Sequence, residues 1–201
     1  MPTISDVDKI CETMGLAPLK TDIVLDGGNV VRSAHKAIMT DRIFEENRQF
    51  ERKQLIKKLH ELLQIDHLYF VPQQPGDFTG HSDGMVRFIN EDTVVINDYN
   101  KEKDWFKRAF EIAIHNTGLE YITLPYSVEH NNKNEQANGD YINYLQMANC
   151  IIVPTFNIDA DEAAVSKLQE IFAGQTIKTI DCNEIANDGG VLNCISWNIT
   201  K

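Results

Sequence analysis

Cysteine is scarce and scattered in this chain. Cys11, Cys150, Cys182 and Cys194 are its four. They form no close pair and no metal-ligand spacing, so neither a disulfide framework nor a metal site is expected. Positive charge is also short: 19 Lys and Arg stand against 30 Asp and Glu, a formal net charge of -11. Binding a phosphate backbone needs a basic surplus on some face, so no nucleic-acid partner is expected. An acidic surface serves solubility first, and only weakly favours a cationic ligand. No apolar run reaches the roughly 18 residues needed to cross a bilayer, so no membrane partner is expected. The N-terminus is polar and acidic, unlike a secretory leader. Free thiols then point to the reducing cytoplasm as the expected location.

What is present is the make-up of a globular protein, 42% hydrophobic and 24% charged over 201 residues. That length suits a single domain, 1–201. Short apolar strands alternate with amphipathic helices, which makes the class α/β. Helices are expected over 5–14 (N-cap Ser5, stop Gly15), 41–48, 51–63, 102–116 and 159–172. In the third of these, Leu55, Ile56, Leu59, Leu62 and Leu63 share one face, and His60 and His67 flank it as surface or satisfied residues. Strands are expected over 21–25, 37–40, 67–72, 85–89, 93–97, 120–124, 141–148, 150–154 and 176–180. A turn is expected around Glu184. The Asn-rich stretch 127–139 reads as a loop and a candidate lid.

Three places invite a functional reading. Asp26 leaves the strand 21–25 in Asp26-Gly27-Gly28-Asn29, which serves equally well as a hairpin turn. His81 and Asp83 lie where the long loop 73–80 enters a sheet. At i and i+2 of an extended chain they project to the same side, though such a pair is as often an N-cap or turn. In Gly189-Gly190-Val191-Leu192-Asn193-Cys194-Ile195-Ser196-Trp197-Asn198 the glycines open a close approach. The Ile195/Trp197 alternation reads as the start of a half-buried strand. A cysteine at that junction can point its sulfur into a cleft as a nucleophile, or can be a small buried hydrophobe, the commoner fate.

Taken in order, Leu25-Asp26-Gly27-Gly28-Asn29, Gly80-His81-Ser82-Asp83-Gly84 and Gly189-Gly190 through Cys194 resemble the agmatine deiminase / bacterial peptidylarginine deiminase family of guanidine-modifying enzymes. Supporting stretches are Met85-Val86-Arg87-Phe88, Tyr141-Ile142-Asn143-Tyr144, Val153-Pro154-Thr155-Phe156 and Asp161-Glu162-Ala163. The resemblance implies a partial, pentein-like α/β propeller of ββαβ modules, about three of the family's five, without the N-terminal modules. It implies Cys194 as the nucleophile and His81 as its general acid/base partner. Asp83 would grip the guanidinium, and Asp26 would orient the histidine and the substrate. Gly190 and Asn193 join the two aspartates as substrate-binding residues.

The implied reaction hydrolyses a guanidino C–N bond of agmatine, arginine or peptidyl-arginine. It gives the ureido product and ammonia through a covalent amidino-thioether. Neither metal nor organic cofactor is required. A guanidine-binding remnant without turnover is the alternative, and an amidinotransferase a third. Two departures accompany the resemblance. The family's missing early part supplies a second guanidinium-binding aspartate with no counterpart here, since Asp6 and Asp8 fall on the first helix. Exposed sheet edges then leave three arrangements open: a fragment of a larger protein, a homo-oligomer covering the gap, or a trimmed fold. And where agmatine deiminases usually place a histidine before the nucleophile, this chain has Asn193, the mark of another branch. Asp26, His81, Asp83 and Cys194 are expected to converge on one cleft.

Overall fold

A computed structural model of the chain describes residues 6–126 and 136–198. A short helix, α1 (Val7–Thr13), leads in; Asp6 caps it by accepting from the Lys9 N–H at 3.1 Å. The expected cap, Ser5, lies outside the described residues. Three similar units follow. In the first, β1 (Val31–Arg32) pairs antiparallel with β2 (Lys36–Thr40); α2 (Arg42–Glu46) and α3 (Arg52–Leu63) then lead to β3 (His67–Val71), parallel to β2. The second is β4 (Val86–Phe88), β5 (Thr93–Asn97), α4 (Asp104–Thr117) and β6 (Glu120–Leu124). The third is β7 (Leu145–Met147), β8 (Cys150–Thr155), α5 (Ala160–Ile171) and β9 (Thr176–Asp181). Each unit is a mixed three-stranded sheet with its first-entered partner antiparallel and its crossover partner parallel. A last helix, α6 (Asn183–Ala186), stands where the turn around Glu184 was expected.

The central strand of each sheet shows why the units hold together. Successive side chains on a strand point to opposite faces. In β5, Val94 and Ile96 pack with Phe106, Phe110 and Ile114 of the unit's own helix, while Val95 packs with Tyr141, Ile151 and Val153 of the next unit. In β2, Met39 meets Ile43, Leu55 and Leu59 of its own helices, and Ile38 meets Val86 and Val94 of the second unit. These strands are therefore apolar on both faces, and the hydrophobic clusters run across the unit boundaries. The helices supply matching stripes at i and i+4: Leu55/Leu59, Phe106/Phe110/Ile114 and Ala164/Leu168, all buried. Each fully buried Leu or Phe contributes ~1.5–3 kcal/mol by transfer from water. Gly118, at φ 70°, ends α4 in the left-handed conformation that glycine adopts without steric cost.

Four expected elements differ. Residues 21–25 form no strand. Asn47 of the neighbouring turn instead brackets Val24, accepting from its N–H and donating to its carbonyl, each at 2.8 Å. One side-chain amide thus replaces a strand partner while Ile23 buries. Asp26-Gly27-Gly28-Asn29 is not a hairpin turn: Gly27–Asn29 is a 3₁₀ turn that sends Asn29 inward to accept from the Thr40 N–H at 2.8 Å. The expected strand 141–148 is a 3₁₀ turn (Tyr141–Asn143) followed by the short β7, because Tyr141, Ile142 and Tyr144 are all fully buried and satisfy no alternation. Ile195 and Trp197 do not begin a strand; both are exposed after a turn. Of the candidate lid 127–139, residues 127–135 lie outside the described residues. Among the described residues no helix is long and apolar enough to cross a membrane.

Candidate active site

The loop carrying His81 and Asp83 is fixed from below. At the end of β2, the Thr40 hydroxyl donates to the Gly80 carbonyl (2.5 Å) and the Ser82 hydroxyl to the Ile38 carbonyl (3.2 Å). The Asp83 N–H donates to the Gly28 carbonyl at 3.0 Å, tying this loop to the 3₁₀ turn after Asp26. Gly28 has a steric duty there. A Cβ on it would lie 2.4 Å from His81 Nδ1, so only glycine lets the imidazole rest on this backbone. On the far side of the ring, His81 Nε2 stands 3.2 Å from Asp26 Oδ2. Asp26 is 56% exposed, so it forms the rim of the site and reaches it through the histidine.

Asp83 is buried. Its Oδ2 accepts from Asn193 Nδ2 at 2.7 Å and lies 3.9 Å from Cys194 Sγ. A third side chain organises this end. Asn143 is buried; its Nδ2 donates to Cys194 Sγ at 3.2 Å, and its Oδ1 accepts from the backbone N–H groups of Asn193 (2.9 Å) and Cys194 (3.3 Å). Gly190 leaves room beside the sulfur, since a Cβ there would come within 2.8 Å of Cys194 Cβ and 3.0 Å of Sγ. Cys194, His81 and Asp83 line a small cavity of about 80 Å³ together with Asp140 and Asn143. The same three face an open groove of about 850 Å³ that runs past Gly28, Asn193 and Trp197. His81, Asp83 and Cys194 thus come together, with Asp26 attached through His81 and with Gly190 and Asn193 around the sulfur.

The site is electronegative. Burial raises the Asp83 carboxyl, and the Asn193 hydrogen bond, His81 and Arg87 pull it partly back. Burial, then Asp83 and Asp77, raise Asp140 well above the ordinary carboxylate range. Cys194 is exposed as a residue, but its sulfur sits at the cavity wall between Asn143 and Asp83. Burial of the sulfur and the neighbouring Asp83 push its thiol up to about 11, while Asn143 acts the other way. At neutral pH the thiol therefore keeps its proton until positive charge enters. No group of three His, Cys, Asp or Glu among the described residues is arranged to hold a metal ion.

Two cavity residues escaped the sequence reading. Asn143 lay inside a stretch noted only for its likeness to relatives, and Asp140 at the end of a loop rich in Asn and Gly. Neither has a local signal; each matters because of what the fold places opposite it.

The model of the Porphyromonas-type peptidyl-arginine deiminase family matches residues 5–199. A provisionally named agmatine deiminase of Mycoplasma mycoides is 23% identical over 220 residues, covering 94% of this chain and 60% of that protein. A counterpart from Shewanella baltica, named in the same way, is 26% identical, covering 92% and 59%. Among solved structures, the agmatine deiminase of Enterococcus faecalis superposes with a TM-score of 0.79 at 20% identity, over 94% of this chain and 60% of that one. At that identity the superposition shows a shared α/β fold. The chain spans about three-fifths of the length of the curated relatives it matches. With a family model running through both ends of the site, this chain belongs to the Porphyromonas-type peptidyl-arginine deiminase family.

Proposed function

We propose that the chain hydrolyses the C–N bond of a guanidino group, with agmatine as the first substrate to test and free or peptidyl arginine next. The observation that carries this is the sulfur of Cys194 on one cavity wall with Asp83 and His81. A guanidinium carbon is a poor electrophile because resonance feeds it electrons, so a strong nucleophile and tight orientation are both needed. Carboxylates meet the planar N–H fork in bidentate fashion and hold the carbon against the sulfur. The entering cation offsets the negative charge that keeps the thiol protonated, so substrate promotes its own attack.

The Cys194 thiol gives its proton to the His81 imidazole, and the thiolate adds to the guanidinium carbon. His81, oriented by Asp26, donates a proton to the departing nitrogen, and ammonia leaves with the electrons of the broken C–N bond. The neutral imidazole next takes a proton from water, whose oxygen attacks the amidino-thioether. Collapse breaks the C–S bond, returns the sulfur as thiolate and leaves the ureido product. One imidazole can serve both steps, as acid in the first and base in the second. No metal or organic cofactor enters this scheme. The three ββαβ units serve as part of the five-module α/β propeller implied by the family resemblance, and a second copy of the chain could cover the open side.

A guanidine-binding protein without turnover is the second reading, favoured by the raised thiol. Ammonia release from agmatine, arginine and an arginyl peptide distinguishes them. Turnover on at least one substrate, abolished by Cys194→Ala, is expected; binding without ammonia would replace the hydrolase with the second reading.

A further inference from the structure

Resting on the guanidino reading above, we propose that Asp140 is a second carboxylate of the substrate pocket, gripping the guanidinium together with Asp83. Asp140 lines the same small cavity as Cys194, His81 and Asp83. Its Oδ1 is buried and has no hydrogen-bond partner among the described residues. Buried carboxylates left without a partner are costly, and natural sites that keep one usually match it with a ligand charge.

No cation of the described residues takes that role. Arg87 is the nearest, and its guanidinium is engaged elsewhere: it donates to the Tyr144 carbonyl and lies 4.2 Å over the Tyr144 ring. Asp140 is also held firmly. It bridges Tyr126, and its N–H donates to the Ala137 carbonyl at 3.1 Å. The 3₁₀ turn that follows it carries Asn143 to the sulfur, and Tyr141 in that turn donates to Asp161 Oδ1 at 2.7 Å. Gly84 gives the carboxylate its room: a Cβ there would be 3.1 Å from Asp140 Oδ2. The wall behind it is polar but closed, with the Tyr99 hydroxyl donating to Gln74 Oε1 at 2.9 Å and Gln74 donating to Tyr126.

The ligand chemistry follows from counting donors. A guanidinium head presents more N–H groups than one carboxylate can accept, and Asp83 Oδ2 already receives Asn193. A second carboxylate completes the set. The groups facing Asp140 are Asp83, Asp77, Tyr126, Arg87 and Cys194. Burial and the two neighbouring acids raise the Asp140 carboxyl against the Ile142 N–H and Arg87, and an entering cation draws it back down, so binding is coupled to proton release.

The test uses the full chain carrying Cys194→Ala, which binds without turning over. Agmatine binding is measured by calorimetry in two buffers of different ionisation heat, with and without Asp140→Asn. A loss of at least tenfold in affinity is expected from Asp140→Asn, with the melting temperature unchanged or raised because the amide keeps the shape of the carboxyl and removes an acid held beside Asp83 and Asp77. Proton release on binding is expected from the single variant, and less of it from the double variant, where Asp83 remains to titrate. Equal affinities, or equal release from the two variants, would overturn the role of Asp140 and leave the hydrolase standing. If Asp140→Asn lowers the melting temperature or prevents folding, and the single variant releases no proton, Asp140 is structural and the proposal fails. If the single variant binds none of agmatine, arginine or an arginyl peptide, and the unmodified chain releases no ammonia from them, both proposals fail together.

Discussion

The two halves of the cavity are built differently. The half carrying His81 and Asp83 is pinned to a sheet and a turn by backbone and hydroxyl bonds from Thr40, Ser82 and Gly28, with Ser82 fully buried. The half carrying Cys194 is a turn outside any sheet, with Ile195 and Trp197 exposed beside it. It is held to the body mainly through one side chain, Asn143, which receives two backbone N–H groups and donates to the sulfur. The acid–base half is rigid because its contacts are many and buried. The nucleophile half is held by fewer bonds, those of the Asn143 amide, the Asn143 carbonyl accepting from the Asn193 N–H at 3.1 Å and Asn193 donating to Asp83, so loss of the Asn143 amide disturbs it more than it disturbs the fold.

That contrast sets an order of expected effects. Asn143→Ala removes three contacts of the cysteine turn at once, and a nucleophile misplaced by an ångström costs on the order of 100-fold in rate. Ammonia release should fall by about that factor or more, and single-turnover kinetics should place the loss in the covalent step. A fall no larger than that of a surface substitution would mean that the cysteine turn has other anchors.

Gly28→Ala attacks the rigid half. The new Cβ must push the imidazole off its seat, and general acid–base help worth roughly 100-fold or more is at risk. The loss should be smaller than for Asn143→Ala if Asp26 can still hold the displaced ring, and it should fall on kcat with KM little changed. An unchanged kcat would show that the ring moves without consequence.

The smallest effect concerns the empty site. With its pKa raised to about 11, the Cys194 thiol should be slow toward iodoacetamide at pH 7, and its alkylation should accelerate as pH rises toward that value. Adding a small guanidinium ligand at pH 7, at a concentration that leaves the sulfur accessible, should raise the rate several-fold, because the cation removes the cause of the shift. Mass spectrometry of the alkylated peptide separates Cys194 from the buried Cys11 and Cys182. Fast alkylation of the empty protein at neutral pH would place the thiolate in the resting state.

The legible parts of the fold were those with a period. Leu55/Leu59 and Phe106/Phe110/Ile114 announce helices because their spacing matches a helical face, and those helices are present. The illegible parts were apolar runs without a partner strand. Residues 21–25 look like a strand, but a strand needs a backbone beside it, and here the Asn47 amide takes that place. Tyr141, Ile142 and Tyr144 are apolar because they fill a core, which burial alone explains without alternation. In the site, His81, Asp83 and Cys194 stood out because their flanking glycines mark unusual backbone. Asn143 and Asp140 carried no such mark.

The sequence by itself determined the alternation of short strands and helices, the three polar motifs and, through them, the family, because these depend on spacing within short stretches. Only the tertiary structure decided which polar groups meet. Asp83 and Asn193 are distant along the chain, and they touch because the units pack face to face through both sides of their central strands. Asp140 acquires its character in the same way: the carboxyl of a loop aspartate rises only where the fold buries its Oδ1 and brings Asp83 and Asp77 beside it.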